Sequence, residues 1–109
     1  MLLRDMLNSC THPAVAAAAL GSLGGRIAAR ACVDARRRGL RVGDHVASLV
    51  RRFRRAAGPE ETAALERAMR GSDLPLLAGL AFVLDHEFAL DDESEGLDPA
   101  DIAAASRIS

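Results

Sequence analysis

Alanine and leucine dominate the apolar part of this sequence, and that limits the folds that the chain can adopt. Of its 54 apolar residues, 22 are alanine and 15 are leucine, against six valines and three isoleucines. There are three phenylalanines and neither tryptophan nor tyrosine. Alanine and leucine favour helices, whereas strands favour β-branched and aromatic side chains. We therefore predict an all-α fold, a compact bundle of four to six helices in a single domain covering residues 1–109.

A core that is rich in alanine buries little apolar area per side chain. Apolar burial stabilises a fold by about 25 cal/mol per Å², and a domain of 109 residues buries roughly two-thirds of the surface that its unfolded chain exposes. Association with another chain would add to this thin core. We therefore expect the partner to be another protein or a second copy of the chain, as a homodimer.

Apolar residues recur at helical spacing in segments that glycine and proline separate. The spacing predicts helices over residues 2–10, 43–57, 59–70 and 74–84. The last of these is apolar on most sides, which is typical of a central helix or of a helix at an interface. Residues 91–96 read as an acidic loop that opens a mobile C-terminal segment, and a short helix is predicted from Asp98 onward.

Residues 13–38 allow two interpretations, because three glycines interrupt an otherwise helical pattern. We favour one continuous or lightly kinked helix; the alternative is a break near Leu23. In a continuous helix, small residues spaced four apart would form a ridge that lets another helix approach closely. That ridge comprises Ala17, Gly21, Gly25 and Ala29.

Charge is divided unevenly along the chain. Residues 26–55 carry a net charge of +8 and residues 85–109 a net charge of −7, although the whole chain carries −1. Arginine binds carboxylate and phosphate through a planar fork of donors. The arginines are therefore candidate contacts for an anion or a partner, unless they form a solvated face or pair with the acidic segment. The candidates are Arg36, Arg37, Arg38, Arg41, Arg51, Arg52, Arg54 and Arg55.

From this pattern we expect a non-enzymatic interaction or regulatory module that uses the arginine-rich helix and the acidic tail. The runner-up is a nucleic-acid-binding regulator that contacts phosphates through the segment Arg36–Arg55. A third interpretation is a metal or acid–base site at His86, which lies between Asp85 and Glu87. Neighbouring side chains on a helix point in different directions, so we expect no catalytic residue, metal or cofactor there.

Two cysteines are too few for a disulfide framework, so we expect Cys10 and Cys32 to be buried free thiols, with one bridge between them as the alternative. No stretch approaches the roughly 20 apolar residues that span a bilayer. We therefore expect a cytoplasmic protein with no membrane partner. The complete absence of lysine, together with the high alanine content, is typical of a GC-rich bacterial genome.

Overall fold

The structure is a computed structural model that describes residues 1–96, and within that range it contains six helices and no strand. The all-α prediction is confirmed, at the upper end of the expected number of helices. The helix predicted from Asp98 onward lies outside the described residues. The helices are α1 (Leu3–Cys10), α2 (Pro13–Leu23), α3 (Gly25–Arg37), α4 (Val42–Ala56), α5 (Pro59–Arg70) and α6 (Pro75–Gly96).

The core lies where α2, α4 and α6 meet, with α1 and α5 packed against its edges. Phe53 of α4 is 1% exposed, and its ring meets that of Phe82 edge-on at 6.2 Å between centroids. Leu80 and Leu84 of α6 are fully buried. The first half of α6 is therefore the central helix that the sequence predicts, although Leu74, just before it, is 62% exposed.

The chain turns between α2 and α3, so the favoured prediction of a continuous helix over residues 13–38 is wrong. Gly24 and Gly25 have φ of 59° and 62°, in the left-handed region that non-glycine residues rarely adopt. Two successive residues in this conformation end one helix and start another. The break near Leu23 is the correct alternative.

The predicted ridge of small residues is consequently not one surface. Gly21, Gly25 and Ala29 are exposed, and among the described residues no heavy atom of another segment lies within 4 Å of where a Cβ on either glycine would stand. The close helix approach lies at Gly43 in α4 instead. A Cβ there would overlap the carbonyl oxygen of Pro13 and lie 3.2 Å from the Cβ of Ala17, the one ridge residue that takes part.

The acidic residues 91–96 continue α6 to Gly96, so the prediction of a loop there is wrong. The reason is a set of contacts with distant arginines, described below, that hold Asp91 and Asp92 against α3 and α4. Within the part of the chain that the structure describes, no helix combines the length and the apolar character needed to cross a bilayer.

Candidate interaction surfaces

The candidate arginines fall into three groups, and the first group pairs within the molecule. Arg52 of α4 bonds to Asp91 of α6, with 3.0 Å between Nη2 and Oδ1. Arg38, at the end of α3, approaches the other oxygen of Asp91 at 3.9 Å. Arg30, which is not among the predicted contacts, bonds to Asp92 through Nη2 and Oδ1 at 2.8 Å. These pairs join the second half of α6 to α3 and α4, so Arg38 and Arg52 are engaged within the fold.

Glu87 lies at the centre of this junction and is 1% exposed. Arg52 donates to its Oε1 through Nε, and the Nδ1 of His86 lies 3.2 Å from its Oε2. A buried carboxylate is costly unless it is paired and hydrogen-bonded, and here both of its oxygens have a partner. Through its hydrogen bond with Arg52, Glu87 links α6 to α4.

His86 and Glu87 meet despite being neighbours on one helix, which the sequence reasoning did not expect. The imidazole also lies edge-on to Phe53 at 5.4 Å and stacks on Phe82 at 6.4 Å between centroids. Among the described residues, no group of three or more His, Cys, Asp or Glu side chains is arranged to hold a metal ion. His86 therefore has one carboxylate neighbour and two aromatic neighbours.

The second group of arginines faces outward. Arg51, Arg54 and Arg55 of α4 together line one depression on the surface. The Nη1 of Arg51 donates to the carbonyl oxygen of Thr11 at 3.1 Å, at the end of α1. No carboxylate whose side chain is described lies within ion-pair distance of these three guanidinium groups. The remaining predicted contacts, Arg36, Arg37 and Arg41, are also exposed but lie at the other end of α4 or on α3.

An apolar groove lies between α2 and the start of α6. Its walls are Val15, Ala18 and Ser22 of α2 and Leu74, Leu76 and Leu77 next to them. Met1 at its rim is 64% exposed and Leu74 is 62% exposed. Sequence reasoning missed this groove, although one signal was available: no charged residue occurs from Pro13 to Gly25.

His45 is the one buried residue whose side-chain nitrogens both lack a hydrogen-bond partner among the described residues. It lies in the first turn of α4 and is 2% exposed. The sequence signal was its position three residues after Val42 and four before Leu49, within the apolar stripe of the helix. A histidine in such a stripe faces the core.

Both cysteines are free thiols, but only one is buried. Cys10 is fully buried in the core, and burial raises its pKa. Cys32 is exposed on α3. The expectation of free thiols is confirmed, whereas the expected burial of Cys32 is wrong.

The comparisons with known proteins return nothing that would assign a family to this arrangement of helices, charges and groove. No family model matches the chain, and no curated protein or solved structure matches it either.

Proposed function

We propose that this chain is a non-enzymatic protein–protein interaction module, and that it associates with a second copy of itself through the apolar groove. The observation that carries the proposal is the character of α2. This helix contains no charged residue, yet six of its eleven residues are exposed. A surface helix normally carries charged residues on its outer face, and an apolar outer face is typical of an interface.

A second copy of the chain fits the charge of this surface and its exposed apolar side chains. Among the described residues that line the groove, Asp73 alone has a charged side chain, so two such faces meet without burying several like charges. The face carries both an exposed large side chain, Leu74, and an exposed small one, Ala18. In a two-fold dimer, Leu74 of each copy can pack on α2 of the other.

The proposal is tested by measuring mass against concentration with light scattering and sedimentation. We expect the wild-type chain to approach twice its 11.5 kDa as concentration rises. Val15→Glu and Leu74→Glu place an unpaired carboxylate in the groove, which should weaken association about a hundredfold. Val15 lies in the first turn of α2, where a carboxylate suits the helix dipole, so the helix itself should remain stable.

Two exposed residues outside the groove provide matched controls. Val33 on α3 is 42% exposed and Leu90 on α6 is 42% exposed. Val33→Glu and Leu90→Glu should leave association unchanged. A wild-type chain that stays monomeric at every concentration would refute the proposal, as would equal weakening by the control variants. We also place the module in the cytoplasm, a location that fits its two free thiols.

A further inference from the structure

The outward arginines of α4 are arranged at a cost to the free chain. Arg54 and Arg55 stand three and four residues after Arg51, which places all three on neighbouring positions of one helix face. Like charges at this spacing destabilise a helix by a few tenths of a kcal/mol per pair. A bound anion would remove that repulsion.

One of the three arginine side chains is already held in place before a partner binds. The hydrogen bond from Arg51 to the carbonyl oxygen of Thr11 fixes one guanidinium against the end of α1. The three side chains line a single depression, and they are the whole of its lining within residues 1–96. An incoming carboxylate therefore meets several donors at once, and a bidentate contact to arginine adds geometric selectivity to the charge attraction.

The fold already contains an example of how this chain binds carboxylates. Glu87 and Asp91, one turn apart on α6, together bind the guanidinium of Arg52 on α4. Arg52 directly follows Arg51 in the chain, but its guanidinium bonds to carboxylates of α6. The same helix thus binds an acidic helix on its inner side and presents a second set of arginines outward.

We propose that Arg51, Arg54 and Arg55 form a docking site for an acidic peptide segment of a partner protein. The arginines complement an acidic peptide in charge, and two observations favour such a peptide over nucleic acid. Proteins that bind duplexes commonly neutralise about 6–10 phosphates, and this depression offers three arginines. All three phenylalanines lie in or against the core, so none is available to stack on unpaired bases.

The site is tested by fluorescence anisotropy of the full chain with a fluorescein-labelled oligoglutamate peptide. We expect saturable binding that weakens between about 50 mM and 200 mM salt. The triple variant Arg51→Gln, Arg54→Gln, Arg55→Gln should bind about tenfold more weakly. Lysine at the same three positions keeps the charge but loses the planar fork, so it should give an intermediate affinity.

A second triple variant separates the site from a general effect of charge. Arg4→Gln, Arg26→Gln, Arg67→Gln makes the same change in net charge at exposed positions of α1, α3 and α5 and should leave peptide binding unchanged. Equal weakening by both triple variants would overturn the proposal, as would a lack of saturable peptide binding. Tighter binding of mixed-sequence DNA or RNA through the same arginines would replace it with a nucleic-acid interface. The groove is not altered by any of these variants, so self-association is scored independently.

Discussion

The buried imidazole of His45 has a lower pKa in this fold than in water. The charged groups that influence His45 are Asp34 of α3, Arg38 just after α3, Arg52 of its own helix and Asp91 of α6. Burial is the largest influence and lowers the pKa of His45. The charges of Arg38 and Arg52 act in the same direction, whereas those of the two carboxylates oppose it. The folded protein therefore favours the neutral form of this ring.

Folding stability should consequently decrease in mild acid. The pKa of His45 is lower in the folded state than its usual value of about 6.5, so the unfolded chain binds more protons between those two values. The free energy of unfolding therefore loses nothing to this group above about pH 6.5. Below that pH it falls by up to about 1.4 kcal/mol per pH unit until the pH reaches the folded-state pKa of His45. Urea unfolding at a series of pH values between about 5 and 8 measures this slope.

The variant His45→Leu should flatten this dependence of stability on pH, because leucine is an apolar side chain of similar size that does not titrate. His12 is exposed, and His12→Leu should leave the slope as it is in the wild type. If both variants retain the same pH dependence, the slope does not come from His45.

At the scale of single helices, local signals were sufficient for many boundaries. Pro13, Pro59 and Pro75 each open a helix, as proline in a first turn predicts. The sequence did not show which glycine breaks the segment 13–38. Gly21 stays helical while Gly24 adopts a positive φ, and the identity of the residue cannot predict this difference because both are glycine.

Two glycine-to-alanine variants should therefore have opposite effects on stability. A methyl group on Gly43 would overlap backbone atoms of Pro13, so α2 and α4 must separate and the free energy of unfolding should fall by about 1–3 kcal/mol. Gly21 is helical with open space around it, so Gly21→Ala should stabilise the fold by up to about 1 kcal/mol. Thermal unfolding measures both, and a neutral Gly43→Ala would show that the helices do not meet so closely.

At the scale of the whole molecule, the two oppositely charged parts of the sequence meet in space. The positive stretch supplies Arg30, Arg38 and Arg52, and the negative stretch supplies the carboxylates of α6. Sequence reasoning predicted the charge separation and named pairing with the acidic segment as one interpretation. It did not identify which arginines pair and which face outward, because that depends on contacts between residues far apart in the chain.

These pairs should govern the local stability of the second half of α6. In the double variant Asp91→Asn, Asp92→Asn, the arginine partners lose their counter-charges, and amides near Glu87 should exchange roughly threefold to tenfold faster. Hydrogen exchange followed by mass spectrometry measures this change. Amides near Leu80, in the buried half of α6, serve as the internal reference. An equal acceleration at both places would indicate global destabilisation rather than loosening of the acidic half.

The contrast between the two thiols has a practical consequence. Cys32 is open to solvent while Cys10 is enclosed, so a maleimide dye should attach at one defined position of the native chain without any engineered cysteine. Mixing donor-labelled and acceptor-labelled chains would then report energy transfer whenever two molecules come together. The native sequence thus already provides a single labelling site, at Cys32, for measuring energy transfer between two copies of the chain.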